Sequence, residues 1–328
     1  MAKIIGRTGA IGIAVESTKG TPVAPTFYVP VQSYSFDDKV EYIKNDSAMG
    51  RIEEFNDADI VKEWAEGDYG GKIFIDSVGA ELTAVFGASP VSAERTTTDV
   101  FDHTYELANN NNHSSLSVSY VDDIQDVRSP FAMVNTWALE VAVDDYVKRT
   151  ISLISKKSAD VTNTPAFTDE VEFIPSMVSF KTATNAAGLD AATAINVLSF
   201  SMEIAKNAEA LYVLGSKEPE DIINKQFGVT GSVELYFENE TLRDYVFANT
   251  HRAIRIDMLD ATTVIGTSGS HNPELRFDLN EVVFSEFERG WDANDPLKQT
   301  LNFEALVSVT DDAMITARLT NEQDGTDY

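Results

Sequence analysis

The chain has 328 residues, which suits about two domains of ordinary size. It contains no cysteine, and this excludes disulfides, thiolate metal sites and cysteine nucleophiles. Its formal charge of −28, from 53 acidic and 25 basic residues, disfavours sequence-reading of nucleic acid because an acidic surface repels phosphate. The sequence lacks both an apolar run of roughly 20 residues and the pattern of a signal peptide, so we expect synthesis in the cytoplasm and no membrane partner.

Two irregular or projecting segments and a helix are predicted in the first third of the chain. The segment Thr18–Thr26 contains two prolines and a glycine, which break a strand ladder, and this predicts an irregular arm. The stretch Asp37–Asn56 carries several charges around Met49-Gly50 and predicts a projecting loop or hairpin. The spacing of Val78–Phe86, followed by Gly87, predicts a short α-helix.

Strands dominate the next part of the chain. Ser114–Val121 alternates apolar and polar residues at period two, which predicts a half-buried strand. A longer alternation, Met133–Val143, reaches the acidic turn Asp144-Asp145 and returns as Tyr146–Ile154. Because such turn residues join antiparallel strands, this region predicts a long hairpin.

The second half of the chain begins after a polar stretch, Thr162–Thr168, which contains Pro165 and predicts a boundary. Glu240–Ala248 has helical spacing, and Leu275–Val282 alternates like a strand. The last residues, Asn321–Tyr328, are expected to be loop-like or mobile.

The order of these elements suggests an internal repeat. Each helix follows a strand, and each half ends in a long hairpin, Phe131–Lys156 in the first and Glu274–Val309 in the second. We therefore interpret residues 1–165 and 166–328 as two tandem, mainly β domains, each with one short α-helix. The alternative is that strand-rich sequences look alike by chance.

No motif predicts catalysis, a cofactor or a metal. The histidines His103, His113, His251 and His271 are too far apart in sequence to form a zinc-type pair. The glycines of Gly6–Gly12 imitate a nucleotide fingerprint but lack a following helical pattern, so we interpret them as part of a bent strand. The acidic residues near Asp122 fail the spacing of a calcium loop and predict a turn. We expect no catalytic, cofactor-binding or metal-binding residues and no enzymatic activity.

The N-terminal residues carry a resemblance to a known family. The segment Gly12–Thr26, and within it Glu16-Ser17-Thr18-Lys19-Gly20-Thr21-Pro22, resembles the opening of the major tail tube proteins of long-tailed bacteriophages. Pro30, Gly50-Arg51 and Gly70-Gly71 follow in a similar order. The opening motif is moderately specific, and the remaining likeness lies in the order of elements.

This resemblance implies a fold, an assembly and a place in the virion. It implies tandem β-sandwich or barrel domains that self-assemble into stacked rings around a hollow channel, as in non-contractile tails (siphovirus type). Double-stranded DNA would pass through the channel during ejection without specific binding. Single-domain family members resemble hexamers in each ring, so two domains per chain predict a homotrimer with a pseudo-hexameric ring. The tape measure protein and the tail terminator and tip proteins are the other partners implied.

Two segments are the candidates for contacts between rings. They are the N-terminal arm and the charged stretch that follows it, and their candidate residues are Thr18, Lys19, Gly20, Thr21, Pro22, Asp37, Asp38, Lys39, Glu41, Arg51, Glu53 and Glu54.

Other functions remain open at this point. A secreted or surface β-sandwich binding module, such as an adhesin or carbohydrate binder, would share the composition of strands, although no signal peptide or aromatic platform is evident. An enzyme on a β scaffold would need a convergent His, Asp or Ser constellation. Within the phage interpretation, a tube inside a contractile sheath, another tail component, a capsid-decorating protein or rings of six chains are also compatible with the sequence.

Overall fold

A computed structural model describes residue 3 and residues 5–96, 98–267 and 271–328. The strands of the first half are β1 (Ala10–Val15), β2 (Phe27–Val29), β3 (Ser33–Tyr34), β4 (Asp37–Asn45), β5 (Asp57–Lys72), β6 (Val91–Glu94), β7 (Phe101–Glu106), β8 (Leu116–Val121), β9 (Asp126–Ala142), β10 (Lys148–Ser155) and β11 (Ala159–Asp160). Those of the second half are β12 (Val178–Ala183), β13 (Ala194–Ile195), β14 (Ser199–Ala205), β15 (Glu209–Leu211), β16 (Asp221–Ile223), β17 (Gly228–Tyr236), β18 (Arg252–Leu259), β19 (Glu274–Gly290), β20 (Lys298–Leu306) and β21 (Ile315–Asn321).

Both predicted helices are confirmed. Helix α1 spans Val78–Phe86 and ends at Gly87, which adopts the left-handed conformation with φ of 86°. Helix α2 spans Thr241–Phe247, one residue shorter at each end than its periodicity predicts. Short 3-10 helices occupy Gly6–Thr8, Pro175–Met177 and Ala186–Gly188. The chain is mainly β, as predicted.

The long hairpins are also confirmed, and they belong to one extended row of antiparallel strands. Its order is β4, β5, β10, β9, β14, β17, β20, β19. We call this the central row. Strand β3 continues the position of β4 along β5, where Ser33 pairs with Gly70. The pairing of β9 with β14 joins the first half of the chain to the second.

A second layer covers one face of the central row. It contains β2, β1, β8 and the beginning of β9 in one group, and β13, β12, β18, the beginning of β19, β21, β7 and β6 in another. Strands β9 and β19 run through both layers, as corner strands of sandwiches do. Among the described residues no barrel closes, so the architecture is a β-sandwich.

The strand order and its irregularities occur twice. Strands β5, β10 and β9 are neighbours, as are β17, β20 and β19. The β9–β10 ladder skips Asn135, and the β19–β20 ladder skips Ser285. Three residues before each skipped position, Ala132 pairs with Leu116 and Val282 with Arg252, where the ladders to β8 and β18 shift as well. Bulges are specific features of a fold, so their matching positions favour the interpretation that the chain contains two related units.

One hydrophobic core runs through both halves. It includes Trp137 of β9, Phe200 of β14 and Phe303 of β20, all nearly inaccessible to solvent. The Trp137 and Phe277 ring centroids lie 5.5 Å apart, as aromatic pairs prefer. The two halves of the chain therefore pack as a continuous body.

A buried ion pair ties α1 to the central row. The Glu81 carboxylate accepts hydrogen bonds from Arg149 Nε at 2.9 Å, Trp137 Nε1 at 3.2 Å and Tyr69 Oη at 3.3 Å. The side chains of Glu81 and Arg149 are almost fully buried. Hydrogen bonds must compensate for the desolvation of such a pair. The Glu81 carboxylate has three side-chain donors, whereas Nη1 of Arg149 is buried without a hydrogen-bond partner.

The segment after the predicted boundary packs on the first half. Glu170 accepts hydrogen bonds from the backbone N–H groups of Asp76 at 2.9 Å and Ser77 at 2.8 Å, at the N-terminus of α1. A carboxylate is favourable there because the N-terminal N–H groups lack helical partners. Burial, with the Glu170 charge, raises the pKa of Asp76 to about 6.

The end of the chain is anchored, contrary to expectation. Asn321 is buried in β21, which pairs with β7 of the first half. Tyr328 is also buried, donates a hydrogen bond to the Asp76 carbonyl at 2.7 Å and accepts one from Asn321 Nδ2 at 2.7 Å. The polar composition of residues 321–328 concealed this single aromatic anchor.

Candidate assembly surfaces

The face of the central row opposite the second layer is polar. Side chains of directly paired residues share a face, and one row across the sheet reads Lys72, Lys148, Glu140, Ser201, Ser232, Asn302 and Glu286. The next row includes Glu203, Thr230 and Glu304. The alternate residues, such as Leu139 and Met202, point into the core. We call the exposed side the polar face.

Acidic groups dominate the polar face. Its carboxylates are Glu66, Asp68, Glu140, Glu203, Glu234, Glu286, Glu288 and Glu304, together with Asp37 at the β4 edge. Its basic groups within the same ladders are Lys72, Lys148 and Lys298, together with Lys39 at the β4 edge. Ser201 and Ser232 hydroxyls, 2.9 Å apart, hydrogen-bond between β14 and β17. The face is therefore negatively charged and rich in small hydroxyl side chains.

The central row ends in two open edges. At one end, β3 and β4 pair only with β5 among the described residues. At the other, β19 beyond Val282 pairs only with β20 within the same described part. Unpaired strand edges attract other strands, so these are sites for association with another chain.

The predicted N-terminal arm is irregular but anchored. Buried Glu16 accepts hydrogen bonds from Gly20 N at 2.7 Å, Ser115 Oγ at 2.6 Å, Ser117 Oγ at 2.8 Å and Phe131 N at 2.9 Å. Gly20 has φ of 74°, which favours glycine at this turn. Thr18, Thr21 and Pro22 are exposed, and Lys19 lies half-buried over the Phe131 ring. The Glu-x-Thr-x-Gly pattern is thus a turn held by its own glutamate.

The predicted charged projection is a hairpin of β4 and β5. Asp37, Asp38, Lys39 and Glu41 lie on β4, and Arg51, Glu53 and Glu54 are exposed in the connecting loop. Glu41 pairs with Lys62 at 2.6 Å, and the Asp38 carboxylate accepts from Ser158 N at 2.9 Å. Among the described residues, no recorded hydrogen bond or ion pair joins this hairpin to the arm.

Apolar side chains at the end of this hairpin were not predicted as contacts. Ile52 is completely exposed, and Tyr42, Ile43, Met49 and Phe55 are largely exposed. Leu214, between β15 and β16, is equally exposed. Clusters of apolar side chains exposed to water are typical of interaction sites. The sequence could have indicated this contact, since Met49, Ile52 and Phe55 lie among the charged residues of the loop.

Comparison with known protein families identifies the family of the chain. A family model described as phage tail tube protein matches residues 6–318. The chain belongs to the phage tail tube protein family. No curated protein matches it. The tail tube protein is accordingly a structural component of the virion tail that self-assembles into a tube.

Among its described residues, this tail tube protein contains no cluster of acidic, histidine or cysteine side chains able to hold a metal ion. The same residues include no helix long and apolar enough to span a membrane. Asp122, whose neighbours lack the spacing of a calcium loop, accepts hydrogen bonds from Ile124 N and Gln125 N in the β8–β9 turn. Asp144 and Asp145 likewise occupy the β9–β10 turn.

A buried lysine lies between the two halves of the chain. Lys206, just after β14, donates a hydrogen bond from Nζ to the Ala84 carbonyl at the end of α1. Burial lowers the pKa of Lys206 to about 7. Burial and the nearby Lys206 charge lower the pKa of His113 to about 4. Burial favours the neutral form of each group because the charged form loses its solvation there.

Proposed function

We propose that this protein is the major tube subunit of a long, non-contractile phage tail and that its polar face lines the channel for double-stranded DNA. The central row carries this proposal, because it combines one acidic, hydroxyl-rich face with an open edge at each end. Its role is structural, without catalysis. The subunit would be made in the host cytoplasm and would meet the tape measure, terminator and tip proteins during tail assembly.

Three chains would close each ring. The strand order and the matching bulges support a duplication, with the first tube domain in residues 1–165 and the second in 166–328. Two copies of a unit within one chain give a pseudo-sixfold ring from three subunits. Closing the ring would also remove the open edges that make a free subunit prone to aggregation.

The acidic polar face would keep DNA moving. Phosphates are repelled by carboxylates, and small hydroxyl side chains offer no bulky obstruction or base-specific contact. Exposed Lys298 lies at the β19–β20 turn, and half-buried Lys72 lies at the end of β5, where it pairs with Glu172 at 2.8 Å. Glu203 and Glu304 flank Thr230 in the middle of the face. DNA in the channel would therefore meet net negative charge.

The contacts between rings would come from the arm and the β4–β5 hairpin. The arm would use Thr18, Lys19, Gly20, Thr21 and Pro22, and the hairpin would use Asp37, Asp38, Lys39, Glu41, Arg51, Glu53 and Glu54. The exposed Ile52 supports this role for the hairpin, since burial against a neighbouring ring would remove its apolar surface from water.

Phage particles built from a charge-reversed subunit test the channel assignment. The variant carries Glu203→Lys and Glu304→Lys on the polar face. The matched control carries Glu106→Lys and Asp169→Lys, which reverse two exposed charges away from that face. Once images confirm tubes in both, triggered DNA release should be several-fold slower in the polar-face variant than in the control. Equal release rates would reject the assignment of this face to the channel.

A further inference from the structure

The junction between the two halves shows how two such units can pair. Within the chain, β9 and β14 form an antiparallel ladder from Ala142 opposite Ser199 to Thr136 opposite Ala205. In the central row, β9 is the strand of the first unit that borders the second unit, and β14 is the strand of the second unit that borders the first. The strands in the corresponding outer positions, β19 and β3–β4, are the open edges of the row.

We propose that β19 of one copy pairs with β3–β4 of the next copy in the register of the β9–β14 ladder. This inference rests on the proposed ring assembly and specifies the paired residues of the partner strand. It moves Asp37, Asp38 and Lys39 from the contact between rings to the contact within a ring, and it leaves Glu41, Arg51, Glu53 and Glu54 of the hairpin for the contact between rings. The partner that pairs with each open edge is a second copy of this chain, because the internal β9–β14 ladder is already a contact between two such units.

Shared irregularities fix the position of β19. Asn135 and Ser285 are the residues skipped in the two long hairpins, so Thr136 corresponds to Glu286 and Ala138 to Glu288. The turns agree with this match, because β10 begins at Lys148 and β20 at Lys298, both equally far beyond the skipped residues.

The position of β4 follows from its neighbour β5. Thr230 pairs with Glu304 on β20, and Glu66 pairs with Ile154 on β10, at matching places in the two hairpins. Glu203 lies opposite Thr230, and Asp37 lies opposite Glu66, so Glu203 corresponds to Asp37. A further shift supports the match: the β4–β5 ladder slips by one residue after Glu41, and the β15–β16 ladder is offset by one from β14–β17.

The resulting ladder places Glu286 opposite Lys39, Glu288 opposite Asp37, Gly290 opposite Ser35 and Trp291 opposite Tyr34. The Glu286–Lys39 pair on the polar face is attractive. On the opposite, inner face, Arg289 becomes a diagonal neighbour of Asp38. Glu288 and Asp37 are two carboxylates directly opposed, a local cost on the solvated polar face. On the polar face, the repulsive pair therefore has the attractive Glu286–Lys39 pair beside it.

The inner side of this edge offers a place for Trp291. Its side chain is 78% exposed in the free chain. Tyr34 stacks on Tyr120 with ring centroids 5.0 Å apart, and both line a groove with Phe36, Val127 and Ser129. In the internal ladder the corresponding residues are Val141 opposite Phe200, which pack in the core. Pairing would bury Trp291 against the neighbour's Tyr34.

Disulfide trapping in assembled tubes tests the register, because the parent has no cysteine. The matched variant is Glu286→Cys with Lys39→Cys, and the control is Glu286→Cys with Asp37→Cys, shifted by two residues on the same face. Opposed residues have Cα atoms about 5 Å apart, within reach of a disulfide, whereas diagonal residues are about 7–8 Å apart. We expect at least ten-fold more intermolecular cross-linking in the matched variant.

A charge exchange provides a second measurement on the same pair. Lys39→Glu should reduce the assembled fraction several-fold, and adding Glu286→Lys should restore it. Preferential cross-linking of the shifted pair, or no rescue by the exchange, would overturn the register while parent tubes still support the proposed function. Failure of the parent to form tubes with its tail partners would instead reject the proposed function and the ladder with it.

Discussion

Buried charges are the residues on which the folded subunit depends most directly. Glu81 receives hydrogen bonds from three side chains of the central row, and its partner Arg149 is almost fully buried. Removing one member of such a pair leaves the other charge uncompensated in a poorly polarisable interior. The exposed Glu41–Lys62 pair gives a matched comparison, since solvent screens it.

The change Glu81→Gln should lower the free energy of unfolding by about 3–5 kcal/mol, because Arg149 stays buried and charged. Glu41→Gln should lower it by about 1 kcal/mol or less. Denaturant unfolding of both variants and the parent measures the difference. Equal small losses in the two variants would contradict the role given to the buried pair.

Lys206 predicts how stability changes with pH. Its pKa is about 7 in the folded chain and about 10.4 when unfolded, so between these values the unfolded state binds more protons. Stability contributed by this group therefore rises as pH increases from 7 to 9. The rise should be smaller in Lys206→Met, as measured by denaturant unfolding at both pH values. An identical pH dependence in parent and variant would show that Lys206 is charged in the folded state.

The role of single residues was the hardest part to infer from sequence. The opening pattern around Glu16 indicated the family, but its physical basis, a buried carboxylate that fixes a glycine turn, required the contacts with Ser115, Ser117 and Phe131. These partners are far away in sequence. Deleting residues 18–26 would remove Gly20 from Glu16, so point changes at exposed Thr18 or Thr21 are the better test of a contact between rings.

At the scale of elements, the β4–β5 hairpin is built to project. Residues Lys39–Asn45 of β4 are exposed, and Ile52 at its end touches little of its own chain. The hairpin end therefore adds little to folding, and its exposed apolar surface would be buried in the proposed contact between rings.

Replacing Ile52 with Ser should change the unfolding free energy of the subunit by no more than about 0.5 kcal/mol, because the side chain is already exposed. Tube length, measured in electron micrographs, should fall several-fold because the ring contact loses apolar burial. Val91→Ser, on exposed β6, is the matched control and should leave length unchanged. Tubes of parental length from the Ile52 variant would remove the hairpin end from the ring contact.

Local elements were predictable because their signals are local. Helical spacing identified α1 and α2, and period-two alternation with acidic turns identified β8 and the β9–β10 hairpin. The β9–β14 ladder was not predictable, since alternation shows that a strand has two faces but not which strand lies beside it. The same limit hid the return of β21 to β7 and made the end of the chain look mobile.

At the scale of the whole molecule, the repeated strand order matters most. One chain places two similar units side by side in a continuous antiparallel row, with an acidic face and complementary open edges. Repetition of the same junction between chains would give the proposed closed ring without any new kind of contact. Sequence composition gave the negative charge, but only the strand registers assign carboxylates such as Glu203 and Glu304 to one face.

The number of chains in each ring tests this account most directly. Purified protein would be imaged by electron microscopy, with class averages along the tube axis and light scattering to give the ring mass. The account predicts hollow, stacked rings of three chains with pseudo-sixfold outlines. Rings of six chains would contradict the duplication, and a compact monomer that never assembles with tail partners would contradict the tube function itself.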